Sequence, residues 1–123
     1  MLCMVVERGH SQRQSQLLRG VLDLCLLAVI ADGPAYGYEM TTRLAQRGLG
    51  AVADGSIYPV LGRLERERLV ETFRSAGNGG PPRKYYRLTE AGRDALARWS
   101  EEWRGTRAGV DSVLDNGATG GDG

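Results

Sequence analysis

Apolar residues along this chain follow two different periods, and the elements change where the period changes. In residues 16–31 (QLLRGVLDLCLLAVIA) they occupy nearly every side of a helix after Asp23, so the spacing predicts a helix that must be covered all round. Its own domain covers one side, and a second subunit is expected on the other, with Leu22 and Leu26 on that seam. Asp32-Gly33-Pro34 stops the helix. Residues 36–47 give a second helix ended by Gly48, with Met40 and Leu44 one turn apart on its inner face. Tyr36 and Tyr38 near its start either anchor a phosphate or pack, and Tyr36 is the favoured phosphate neighbour while packing is expected of Tyr38.

A third helix opens at Ser56, a good N-cap, and buries the stripe Ile57, Val60, Leu61 and Leu64. Pro59 is expected in its first turn, where backbone N–H groups lack intrahelical partners and a missing donor costs little. The opposite face carries Tyr58, Pro59, Gly62, Arg63 and Arg66 with no acid at its centre, although Glu65 and Glu67 flank it. An aromatic hydroxyl and two guanidiniums on an exposed helix suit a DNA major groove.

After Leu64 the period drops to two. Residues 69–74 and 84–88 read as short strands, the second placing Tyr86 and Leu88 opposite Tyr85 and Arg87. Between them, residues 75–83 (SAGNGGPPR) are breakers throughout, too long for a two-residue turn. Their glycines do not make a phosphate-binding enzyme loop, because no Gly-Lys-Ser/Thr follows and the segment leads into a strand. Arg74, Arg83 and Lys84, the chain's lone lysine, stand where the strands meet the loop. A basic hairpin beside a reading helix suits phosphate or minor-groove contact. The fold class this order predicts is α+β, mainly α: a winged helix-turn-helix over residues 16–88, preceded by a flexible arm (1–15).

Thr89 caps a last helix (89–115), which is expected to dimerise. Leu96, Trp99, Trp103, Thr106, Val110 and Val113 recur at alternating steps of three and four, a heptad seam that two helices can share, weakened by Gly105 and Gly109. Trp99 and Trp103 either pack that seam or line a ligand site. From residue 116 on, NGATGGDG is expected to be a disordered tail.

Charge sharpens the picture. The formal net charge is only +1, but residues 55–93 hold eight basic and four acidic groups, and residues 94–123 three and six. The basic excess thus falls on the reading head and the acidic excess on the far helix, as expected of a protein presenting one face to phosphate.

GSIYPVLGRLERERLV followed by RKYYRLTEAGR resembles the PadR family of bacterial transcriptional regulators, over residues 17–114. The resemblance implies a homodimeric winged-helix DNA binder with a C-terminal dimerisation helix, usually a repressor released by a small molecule. It implies that Ser56, Tyr58, Arg63, Arg83 and Lys84 face DNA. The short C-terminal region is similar to the family's smaller class. Some relatives sandwich planar multi-ring drugs between symmetry-related tryptophans of the last helix; Trp103 falls at the matching distance, whereas Trp99 departs from the pattern and a second ring there fills space. The partners expected are therefore operator duplex DNA, a second copy of the chain and a planar aromatic or nucleotide-like molecule, with no cofactor. A winged helix used only for protein association is the alternative.

Other functions find little support. Neither paired carboxylates, nor a nucleophile with a base, nor a metal-ligand cluster occurs at useful spacing, so an enzyme is not expected. His10 is solvated in the arm, Cys3 and Cys25 lack metal or redox spacing, and Cys25 reads as a buried thiol. No stretch has the length to span a bilayer and no cleavable signal begins the chain, which gives a cytoplasmic expectation.

Overall fold

The computed structural model describes residues 12–50, 52, 54–76 and 79–120. Its elements are α1 (Gln12–Arg19), α2 (Leu22–Ala31), α3 (Gly37–Gln46), α4 (Asp54–Arg66), β1 (Val70–Ser75), β2 (Arg83–Leu88) and α5 (Glu90–Gly120). This is the mainly helical winged helix-turn-helix that the sequence predicts.

The apolar run of residues 16–31 is not one helix. It breaks at Gly20 and Val21, the latter at φ −126° and ψ 0°, and α1 meets α2 at 71°. Glycine loses the most backbone freedom in a helix, and the break lets Asp23 sit in a new first turn, where its Oδ1 accepts the N–H of Leu24 at 2.7 Å. Helical structure also begins at Gln12, so the arm gives way to α1 four residues earlier than expected; His10 and Cys3 lie outside the described residues.

The core is built around α2. Leu26, Leu27, Met40, Ile57, Leu61, Leu64 and Val70 are fully buried, with Leu22 at 6% exposure beside them. Leu22 and Leu26 are thus buried inside the protomer and not on an open seam: α5, α3, α4 and β2 all pack against α2. At the C-terminal end of α2, Arg43 of α3 donates to the carbonyl of Val29 (3.4 Å), which also accepts the Asp32 N–H (3.2 Å), and to that of Gly33 (3.0 Å), tying α3 to the end of α2.

β1 and β2 pair antiparallel, Val70 opposite Leu88 and Ser75 opposite Arg83. Ala35, just before α3, exchanges both backbone hydrogen bonds with Tyr86 (3.1 and 2.9 Å), which ties the helix-turn-helix to the wing. Between α4 and β1 the chain reverses at Arg68, in left-handed backbone at φ 61°. The Thr89 hydroxyl joins that turn to α5, donating to the Arg68 carbonyl at 2.7 Å and accepting the Gly92 N–H at 3.0 Å.

Only the beginning of α5 packs. Ala95 is buried and Leu96 and Trp99 lie half-buried against the core, while residues 101–115 are exposed. The helix continues to Gly120, so residues 116–120 are helical where a disordered tail is expected. Neither a proline nor a cap interrupts it, and extending a helix already formed requires no new nucleus.

Candidate nucleic-acid interface

α4 begins at Asp54, two residues before the expected cap, so Ser56 lies inside its first turn. Pro59 consequently falls in the second turn, not the first. It supplies no N–H to the carbonyl of Gly55, but Gly55 is exposed and water can take that acceptor. Ile57, Leu61 and Leu64 hold the helix to the core from one side. Ser56, Tyr58, Pro59 and Arg66 are exposed on the other, Tyr58 at 53%.

Arg63 departs from its expected position at the centre of this face. Its guanidinium is drawn to α2, with one nitrogen 3.1 Å from Asp23 Oδ2 and another 3.8 Å from Glu67 Oε2. The reason is helical phase: Arg63 sits on the flank nearest α2, where a carboxylate waits. The opposite flank is also tied down. Glu65 accepts a hydrogen bond from the Thr72 hydroxyl (3.4 Å) and lies 3.6 Å from Lys84 Nζ, bridging α4 to the wing. These are part-exposed pairs, each worth at most about 1 kcal/mol, and a polyanion can displace them. Arg66 and Arg74 have no ion-pair partner among the described residues.

Arg83 leans on α3. It donates to the Tyr36 hydroxyl at 2.9 Å and its guanidinium carbon lies 4.6 Å from the centre of the Tyr36 ring. From there a ladder of rings crosses the sheet: Tyr36 meets Tyr85 edge-on (5.4 Å), Tyr85 stacks on Phe73 (5.5 Å), and Arg87 covers Phe73 (4.8 Å). Tyr36 is therefore half-buried under Arg83, whereas Tyr38, for which packing is expected, is 64% exposed. The ladder fixes the wing relative to α3. The alternation of the second strand already puts Tyr85 and Arg87 on one face, whereas Phe73, which joins them from β1, carries no signal beyond its place in the first strand.

Away from this face, Trp99 and Trp103 border an open groove of about 430 Å³ between α5 and the junction of α1 and α2. Leu17, Val21, Asp23 and Glu102 complete most of its rim. Trp99 is half-buried against the core, whereas Trp103 is 40% exposed, followed along α5 by exposed Val110 and Val113. The stripe expected as a seam is thus divided: Leu96 and Trp99 serve the protomer's own core, and the later positions remain uncovered.

A model of the PadR-like transcriptional regulator family matches residues 26–98, from the middle of α2 through the wing into α5. The chain belongs to that family. A PadR-like transcriptional regulator from Bacillus cereus strain ATCC 14579 is 39% identical, with a TM-score of 0.73 over 80% of this chain and 96% of that one. A PadR family transcriptional regulator from Eggerthella lenta DSM 2243 is 32% identical, with a TM-score of 0.75 over 90% and 96%. In sequence, a transcriptional regulator of Mycobacterium tuberculosis is 36% identical over 78 residues, 63% of this chain and 71% of its own. The family of this PadR-like protein and these relatives are regulators of transcription. No single helix among its described residues is long and apolar enough to cross a membrane.

Proposed function

We propose that this PadR-like protein is a homodimeric repressor that binds operator DNA sequence-specifically and is modulated by a small planar ligand. The observation that carries the DNA reading is that α4 exposes Tyr58, Pro59 and Arg66 while the wing, joined to α4 by the Lys84–Glu65 pair, exposes Arg74, Arg83 and Lys84. α4 enters the major groove and the wing rests on the adjoining backbone, positioning the reading helix. Arg63 and Lys84 exchange their carboxylate partners for phosphate on binding.

Dimerisation is supported by the exposed apolar positions of α5, Trp103, Val110, Val113 and Leu114. Two copies joined there place their recognition helices for successive major grooves, about 34–36 Å apart. A planar aromatic or nucleotide-like ligand stacking on Trp99 and Trp103 changes the angle between the two α5 helices and hence that spacing. To change operator affinity tenfold, in either direction, it must favour one spacing over the other by about 1.4 kcal/mol.

Footprinting on the promoters of the protein's own neighbouring genes, followed by anisotropy titrations over a salt series, tests this reading. Saturable protection of one site with half-site symmetry is expected. Equal affinity for operator and random duplex at every salt concentration eliminates sequence-specific readout, and no binding at all leaves a winged helix used for protein association.

A further inference from the structure

Asp23 belongs to two sites at once. Asp23 is among the residues that border the tryptophan groove, and its Oδ2 holds the Arg63 guanidinium of the recognition helix at 3.1 Å. We propose that Asp23 is the positioning residue through which groove occupancy reaches α4: a planar cation stacked in the groove takes the carboxylate and releases Arg63. This rests on the groove being the ligand site.

The geometry permits such an exchange. Asp23 is 24% exposed, so its carboxylate remains reachable, and its Oδ1 is fixed by the Leu24 N–H at 2.7 Å, which keeps the group in place. Arg63 has a second acceptor ready in Glu67, 3.8 Å away on the next turn, so its release strands no charge. Ile57, Leu61 and Leu64 are fully buried and keep α4 seated, so a side chain moves and the helix does not. Once released, the guanidinium is available on the flank of the reading face.

Charge selects the ligand. The described residues bordering the groove include two acids, Asp23 and Glu102, and no lysine, arginine or histidine, with two tryptophans for a flat cation to stack on. Arg63 and the ligand then compete for one carboxylate. Competition is reciprocal: whatever removes Arg63 strengthens the cation.

Proflavine, a flat cation, and acridone, a neutral ring system of similar shape, test this by calorimetric titration of the full chain without DNA. Wild type is expected to bind proflavine about tenfold more tightly than acridone. Asp23→Asn removes that preference, while Arg63→Gln tightens proflavine about three- to tenfold; acridone binds all three proteins alike. In the wild type, proflavine and not acridone shifts the Arg63 Nε–Hε NMR resonance. If both dyes bind but neither variant alters the preference, Asp23 is no relay and the groove keeps its ligand role. If neither dye binds, the groove reading and the relay both fall.

Discussion

The phenol of Tyr58 on α4 lies across Gly37, the first residue of α3, so closely that a Cβ on Gly37 would stand 2.8 Å from its Cζ. The missing side chain at position 37 is what lets the two helices of the helix-turn-helix cross with this ring between them. Because the ring is 53% exposed, it can swing outward to make room.

Gly37→Ala should therefore alter recognition more than stability. Displacing the ring offsets the gain in helix propensity, so unfolding free energy should move by less than about 1 kcal/mol, while operator affinity falls roughly three- to tenfold. Urea unfolding and DNA anisotropy on the same samples check this. A variant that unfolds but binds DNA normally when folded would mean that Tyr58 reads nothing.

Gly92 is the contrasting case. A Cβ there meets the backbone carbonyl of Leu69, whose carbon would be 3.0 Å away, and backbone cannot swing aside. The same carbonyl accepts the Thr89 N–H at 3.1 Å, so displacing it disturbs the junction of wing and α5. Gly92→Ala should cost about 1–3 kcal/mol, measurable as a lowered denaturation midpoint with unchanged slope.

Arg68 offers the reverse. It holds left-handed backbone at φ 61° just past the C-terminus of α4, where its N–H reaches the Glu65 carbonyl at 3.0 Å and the Leu69 N–H reaches that of Leu64 at 2.9 Å. Glycine is the residue this position favours. Arg68→Gly should stabilise the fold by about 0.5–1 kcal/mol; a lowered midpoint would show that the arginine side chain contributes more than its backbone strain costs.

At the interface, Arg66→Ala should weaken operator binding by about 1–3 kcal/mol with random DNA less affected. Arg83→Ala with Lys84→Ala should weaken both DNAs alike and flatten the salt slope by about two units. Anisotropy at several salt concentrations separates the two patterns. Loss confined to the operator in the wing variant would make the wing a base reader.

The Cys25 thiol is held above its ordinary value, first by burial and then by the nearby Asp23 carboxylate. The unfolded chain therefore releases this proton at lower pH than the folded one, and stability should fall as pH rises through the alkaline range from the ordinary thiol value of 9.0. Cys25→Ala should remove that part of the alkaline loss in pH-dependent unfolding. Reaction with a thiol reagent should be slow in the native protein at neutral pH, because little thiolate is present.

The sequence by itself determined the order of the elements. The stripe Ile57, Val60, Leu61 and Leu64, the alternation of residues 84–88 and the breakers before Arg83 are local patterns, each readable within a few residues, and together they specify a winged helix-turn-helix. That Tyr58, Pro59 and Arg66 face outward on α4 was legible for the same reason, since helical phase is set by the stripe, whereas the place of Arg63 was not. Tertiary structure decided what that phase meets. Asp23 draws Arg63 aside across 40 positions of sequence, Glu65 takes Lys84, and Arg83 settles on Tyr36, none of which follows from spacing because each pairing joins elements whose relative placement only packing sets. Leu22 and Leu26 illustrate the same limit. An all-apolar helix announces that every face must be covered, but α3, α4 and the wing of the same protomer, converging on α2 from different parts of the chain, determine what covers them.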